Sequence, residues 1–198
     1  HARGLIGVSG DVIVLGHGAR LTPMKDLPHF VLAAVRLAEQ FSELQVVLVG
    51  KGVNSHSLSL LNLVPSSLKG RFHFLGERRD VFDLLPAFDV FCLSSRSSEG
   101  FPNAIGEAMA TGVPCVATDV GDCARIIADT GVVVPPRDED ALVGALAQMI
   151  AAPAAERQRL GKDARARVVS HYSITKAVEE YRKVYFALNE GRKVCDDL

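Results

Sequence analysis

Glu99 and Glu107 are the first residues whose types and spacing suggest chemistry, in the segment Ser98–Ala110, SEGFPNAIGEAMA. The apolar run before the serines reads as a strand, and the pattern Asn103–Thr111 reads as a helix ended by Gly112. Glu99 therefore falls in the loop leaving the strand, and Glu107 about one turn inside the helix. The N–H groups of Gly100–Ala104 face the same space. A helix start with unpaired N–H groups and a favourable dipole is a ready anion site. Carboxylates accept from vicinal hydroxyls while N–H groups take phosphate. A ligand with hydroxyls at both ends and phosphates between them would use all three features. A plainer reading stands beside this one. Glu is a common residue of first helical turns, where it serves the dipole, and Glu99 suits a solvated loop.

Arg20 and Lys25, in GARLTPMKD, follow the glycines of the first strand and precede a helix. Two cations at a strand's carboxyl end could neutralise a diphosphate, Arg in a bidentate fork and Lys as a point charge. Taken alone they are also ordinary surface charges. The GxG at Gly16–Gly18 and that at Gly50–Gly52 each fall short of the six-residue dinucleotide fingerprint. Gly16-His17-Gly18 is read as a turn that lets the backbone approach a ligand closely.

The elements that must position these residues alternate. Strands are expected at VIVLG, Leu44–Val49, Arg71–Leu75, Asp89–Leu93, Val113–Ala117 and Gly131–Val134. Helices are expected at Asp26–Phe41, Asp80–Pro86 with Asp80 as N-cap, Asn103–Thr111, and Asp138–Ala151 with Asp138 near its cap. The strands are continuously apolar, as when both faces are buried. The fold class is therefore α/β: a Rossmann-like parallel sheet with helices on both faces, plus C-terminal helices. Ligands of such sheets bind at the strands' carboxyl ends. The candidate site loops are thus Gly16–Arg20, Gly50–Gly52, Gly76–Arg79, Ser94–Asn103 and Thr118–Asp122. Three segments are expected: a nucleotide-binding unit over 1–152, a helical extension packing on it over 153–189, and a polar tail over 190–198. Within the extension, Ser173–Asn189 carries an apolar stripe of Ala177, Tyr181, Val184, Tyr185 and Leu188.

Composition excludes several classes. Net charge is -1, with 22 basic and 23 acidic residues, which lacks the basic footprint of a nucleic-acid binder. An apolar content of 48% fills a core and argues against disorder. No apolar run reaches the roughly 18 residues of a membrane span. Cys92, Cys115, Cys123 and Cys195 form no CxxC pair, and for Cys92 and Cys115, which lie inside apolar runs, buried thiols are the better reading. The six histidines show no HxxxH or HExxH spacing, so no metal is expected. The chain opens on His1 rather than Met, which suggests a fragment of a longer protein.

These pieces together resemble one family, the large retaining glycosyltransferases of the two-Rossmann-domain GT-B fold often called family 4. The Glu99-x7-Glu107 pair within SEGFPNAIGEAMATGVPCVATDVG looks like its hallmark. ARLTPMKD resembles its Arg-plus-Lys diphosphate motif, TGVVVPPRDEDALVGAL its next block and HYSITKAVEEYRKVYFAL its C-terminal helix. The resemblance runs from about Gly16 to Leu188 and implies the second, donor-binding domain. It implies that Arg20 and Lys25 hold the donor diphosphate, that Glu99 contacts the transferred sugar, and that Glu107 holds the ribose hydroxyls. Arg20, Lys25 and Glu99 would be the catalytic set. Backbone groups of Gly100, Phe101, Asn103 and Ala104 would hold sugar and phosphate, Gly16 and Gly18 would line the cleft, and Gly76, Glu77 and Arg78 would meet the base. The donor would be a UDP-sugar by default or a GDP-sugar, with no metal or other cofactor.

The family's usual Gly-Gly and following Glu are here matched by Gly121, Asp122 and Arg125, which leaves the sugar open. Asp122 either reaches the sugar or caps the following helix. The acceptor, a sugar or lipid-linked hydroxyl, would be held by a first domain that this chain lacks, so the chain alone would bind donor with little or no transfer. The resemblance also implies a cytoplasmic location, peripheral to the inner membrane face through that first domain. Self-association through the last helix would cover its apolar stripe. Two competing readings are a stand-alone sugar-nucleotide-binding module and half of a non-hydrolysing sugar-nucleotide epimerase.

Overall fold

Each continuously apolar run bounded by glycine or polar residues becomes a strand in the computed structural model, which describes residues 2–8 and 10–189. The tail expected over 190–198 lies outside the described residues. The strands are β1 (Ile13–Gly18), β2 (Leu44–Val49), β3 (Phe72–Phe74), β4 (Val90–Leu93), β5 (Cys115–Thr118) and β6 (Val132–Val134). All neighbouring pairs are parallel, in the order β3-β2-β1-β4-β5-β6. The α-helices are α1 (Ala2–Leu5), α2 (Leu27–Gln40), α3 (Leu58–Leu61), α4 (Val81–Leu84), α5 (Asn103–Ala110), α6 (Cys123–Ile127), α7 (Glu139–Ala151), α8 (Ala154–Tyr172) and α9 (Ile174–Asn189).

Both sheet faces are covered, which explains why the strands are mainly apolar, with His17, Gln45, His73 and Thr118 as their polar members. Leu15, Val46, Leu48, Val90, Cys92 and Val116 face a core shared with α2 and α7. Their strand neighbours Val14, Val47, Val49, Phe91, Leu93, Cys115 and Ala117 face a second core with α5, α6 and α8. Helix α2 buries Leu27, Phe30, Val31, Ala33, Ala34, Leu37 and Ala38, a full stripe at helical spacing. Helix α7 starts as expected, with the Asp138 carboxylate accepting from the Ala141 N–H at 2.9 Å. The cysteines Cys92, Cys115 and Cys123 are buried and free.

Three expectations change. Gly16-His17-Gly18 is part of β1, not a turn after it. Asp80 precedes α4, but its side chain makes no cap bond; it is held instead by Arg78, at 2.7 and 2.5 Å. The segment after Ala152 behaves as two different helices. Helix α8 packs on α5 and buries Gly161, Ala164 and Val168. Helix α9 buries no residue. Arginines close helix ends across the molecule: Arg167 donates to the carbonyls of Ile126 and Arg125 at 2.8 and 2.6 Å, and Arg157 to that of Ile150 at 2.9 Å.

Candidate ligand-binding site

The strand order reverses direction between β1 and β4, and such a switch point opens a crevice outside the strands' carboxyl ends. A cleft of about 240 Å³ lies there. Its polar wall comes from Arg20 beyond β1, Lys51 beyond β2, Glu77 and Arg78 after β3, and Glu107 of α5. Its apolar wall is Val49, Val81, Leu85 and Phe91, and the backbone of Gly18, Ala19, Gly50 and Ala104 completes it. Complete small-ligand pockets enclose roughly 300–1,000 Å³, so this cleft has room for part of a larger ligand.

Helix α5 begins at Asn103 after Pro102, with no side-chain cap. Its first intrahelical donors are Ile105 and Gly106, both to the Pro102 carbonyl. The amides of Asn103 and Ala104 lie ahead of them and carry the positive end of the helix. One turn on, Glu107 enters the cleft from the same helix. Partial burial raises its carboxyl above the ordinary glutamate value. The Phe101 ring packs against Tyr172 of α8, with ring centroids 5.4 Å apart.

Glu99 and Lys25 meet each other. The Lys25 ammonium and the Ser95 hydroxyl both donate to Glu99 Oε1. The Glu99 side chain is only 8% exposed and that of Lys25 21%. Ser95 is itself held by Thr118, whose hydroxyl donates to the Ser95 carbonyl at 2.5 Å. The carboxylate is thus positioned from three strand ends: β1, β4 and β5. Removing one partner of a desolvated pair strands the other charge, at about 3–5 kcal/mol when burial is complete. Lys25→Ala is therefore expected to cost about 3 kcal/mol, a fall in Tm of roughly 6–12 °C for a domain of this size. Thermal unfolding of the variant within 2 °C of the parent would show that the pair is not needed.

Of the expected site residues, the cleft collects Gly18, Arg20, Glu77, Arg78, Ala104 and Glu107. Lys25, Glu99 and Gly100 sit on the loops that flank them in sequence, and Asn103 opens α5. Two glycines are reassigned. Gly16 is buried in β1, and a Cβ there would fall 2.1 Å from the Phe88 ring. Its missing side chain serves packing rather than ligand approach. Gly76 spends both backbone groups inside the protein, its N–H on the Val53 carbonyl at 2.6 Å and its carbonyl on the Gly50 N–H at 2.8 Å. From this loop it is Glu77 and Arg78 that line the cleft. Gly121 is also explained: at φ 59 its Cβ would collide with the Glu99 carbonyl at 2.1 Å, so the glycine lets the β5 loop support the Glu99 loop. Asp122 makes no side-chain cap to α6 and instead pairs with Arg125 at 3.3 Å.

Sequence reasoning missed Lys51, His17, Ser94, Ser95 and Thr118. Lys51 lay in plain view between two glycines of a candidate loop. The serines were recognisable only as a polar stretch, since their partners lie on other strands. Among the described residues no group of three or more His, Cys, Asp or Glu could hold a metal ion, and no helix is long and apolar enough to cross a membrane.

With this geometry, residues 12–152 match the family Glycosyl transferases group 1, and the chain belongs to that family. It is 28% identical over 185 residues to a UDP-Gal:alpha-D-GlcNAc-diphosphoundecaprenol alpha-1,3-galactosyltransferase of Escherichia coli, an alignment covering 91% of this chain and 47% of the relative. It is 30% identical over 188 residues to the lipopolysaccharide core biosynthesis mannosyltransferase LpcC of Rhizobium leguminosarum, covering 92% and 53%. The chain thus spans about half the length of the curated relatives it matches. Among solved structures, a sucrose-phosphate synthase from Thermosynechococcus elongatus superimposes with a TM-score of 0.80 at 26% identity, covering 96% of this chain and 49% of that one. Anabaena HepE, solved in complex with UDP-glucose, shares the fold with a TM-score of 0.78 at 23% identity over 93% of this chain and 51% of that one.

Proposed function

We propose that this chain is the donor-binding half of a retaining glycosyltransferase, which holds a nucleoside-diphosphate sugar for transfer to an acceptor hydroxyl. The observation that carries the reading is the switch-point cleft, which joins a cation, a helix start and a half-buried carboxylate on one wall. Its size suits the nucleoside end of such a donor. Base and ribose lie against the apolar wall, Glu77 and Arg78, with Glu107 accepting from the ribose hydroxyls. The diphosphate then lies toward Arg20 and the α5 amides, and the sugar toward Glu99. Relatives named as galactosyl- and mannosyltransferases, and a fold neighbour solved with UDP-glucose, support this assignment.

In the reaction, an acceptor oxygen bonds to the anomeric carbon as the bond from that carbon to the phosphate oxygen breaks. The acceptor proton passes to the departing phosphate, so the protein supplies no base. Arg20 and Lys25 stabilise the charge that develops on the diphosphate. An ammonium has three donors, so Lys25 keeps Glu99 while binding phosphate. No step requires a metal. Positioning the acceptor falls to the partner half, without which transfer is slow. Ile174, Tyr181, Tyr185, Phe186 and Leu188 of α9 are exposed, a surface on which that half or a second copy would sit.

Calorimetric titration of this chain with UDP, GDP and ADP tests the proposal. UDP is expected to bind most tightly, with Kd within about 1 μM–1 mM, the span of ordinary substrate constants. A folded chain that binds none of the three would refute it.

A further inference from the structure

His17 is fully buried near the end of β1, yet it is one of the few polar side chains in the core. Its Nε2 lies 3.1 Å from the Ser94 hydroxyl on the loop after β4. That hydroxyl also lies 3.1 Å from the Lys25 carbonyl and 3.3 Å from the Asp26 carbonyl. A hydroxyl has one proton to give, and the two carbonyls can only accept it. Ser94 therefore donates to the carbonyls and accepts from His17, which must carry its proton on Nε2. Nδ1 is left buried without a partner. Burial, with the Lys25 charge adding to it, lowers the imidazole pKa to about 3, so the ring stays neutral.

The turn that this chain of bonds grips is unusual. Asp26 is a non-glycine residue at φ 46, ψ 46, a left-handed conformation that persists only when its surroundings hold it. Lys25 immediately precedes it and reaches Glu99. A second bond, from the Arg96 N–H to the Met24 carbonyl at 2.8 Å, ties the same two loops together. The His17 ring also rests on Phe30 of α2, with centroids 4.5 Å apart, so it cannot swing away.

We infer that His17 and Ser94 are positioning residues, a neutral imidazole–hydroxyl relay that holds the Lys25–Asp26 turn so that the Lys25 ammonium serves both Glu99 and the donor diphosphate. The inference rests on the donor-site reading for the diphosphate, but not for the turn itself.

The test uses the whole chain, with UDP and uridine as probes. His17→Leu combined with Ser94→Ala removes both side-chain partners together, so neither side chain is left as an orphan, and what the variant loses is the donor to the Lys25 and Asp26 carbonyls. His17→Gln retains a donor where Nε2 stood. The double variant is expected to weaken UDP about tenfold, the loss of one charge-assisted contact, while uridine changes less than twofold and His17→Gln keeps UDP within threefold. Equal losses for UDP and uridine, or no loss, would overturn the inference. Amide exchange at Arg96 supplies a readout without ligand. It is expected to accelerate in the double variant and not in His17→Gln. Unchanged exchange would overturn the inference even if the parent failed to bind UDP, a failure that would count against the donor-site reading instead.

Discussion

Glu107→Ala is expected to weaken UDP roughly 30–100-fold, whereas Glu99→Ala leaves UDP undiminished and weakens a UDP-sugar about tenfold. The difference follows from where the two carboxylates stand. Glu107 lines the cleft and is only partly exposed. A carboxylate accepting from ribose hydroxyls in such a place contributes about 2–3 kcal/mol, each tenfold being about 1.4 kcal/mol. In the proposed donor pose Glu99 is instead at the sugar end, and it is already paired with Lys25. Its removal frees that cation for the diphosphate, so UDP itself does not suffer. Calorimetry with both ligands on both variants separates the roles, and equal effects on UDP and UDP-sugar would contradict the assignment. The Glu107 site also has a pH signature. Burial lifts its carboxyl above the ordinary value of about 4.3, and the hydroxyls bind the ionised form. UDP affinity therefore rises as pH climbs through the raised value, then levels off. The sign for folding is opposite. A raised carboxyl pKa means that the folded chain holds its proton more tightly, so this residue favours folding at low pH and loses that advantage as pH rises through the folded value.

The second large effect concerns stability. Gly16→Ala is expected to cost about 3 kcal/mol, the upper end of ordinary overpacking, against a total of about 5–15 kcal/mol for a domain. The added Cβ would stand 2.1, 2.3 and 2.5 Å from three carbons of the Phe88 ring. The strand cannot retreat, because Gly16 is paired with Val47 on one side and Phe91 on the other. Phe88 cannot retreat easily either, being 5% exposed and stacked near Phe91 with centroids 6.4 Å apart. Gly18→Ala is the control: its Cβ meets Phe91 at 3.3 Å, a contact that a small ring shift relieves. Thermal unfolding should show a loss of roughly 6 °C or more for Gly16→Ala and substantial recovery when Phe88→Leu is added. A Gly16→Ala chain as stable as the parent would return this glycine to a ligand role.

Much of the architecture was legible because burial on both faces leaves a one-dimensional trace. Val90–Leu93 and Cys115–Ala117 are apolar at every position because α2 and α7 cover one side and α5, α6 and α8 the other. Helix α2 announced itself through seven buried residues on one stripe. Helices α1 and α3 did not, since four residues are too few to show a 3.6-residue period. The site divides along the same line. Glu107 and the start of α5 depend on local chain geometry and could be read from SEGFPNAIGEAMA. The Lys25–Glu99 pair, the relay through His17 and Ser94, and the collision that makes Gly16 necessary join residues about seventy positions apart. They depend on β1 pairing with β4 although β2 and β3 intervene in the sequence, which no local pattern encodes. Gly16 shows the consequence: a GxG beside a candidate site suggested ligand approach, and an aromatic ring far along the chain is the actual reason.

The central claim is that the β1–β4 crevice receives a nucleoside diphosphate, and mapping UDP on the isotopically labelled chain by NMR tests it most directly. Amide shifts are expected to concentrate at Gly18, Ala19, Gly50, Arg78 and Ala104, with Lys25 and Glu99 following through their shared contact. Uridine should reproduce the shifts at Gly50, Glu77 and Arg78 but not those at Lys25. No shifts with UDP, or shifts centred on Gly112, Arg157 and Gln158 around a second, smaller pocket, would contradict it.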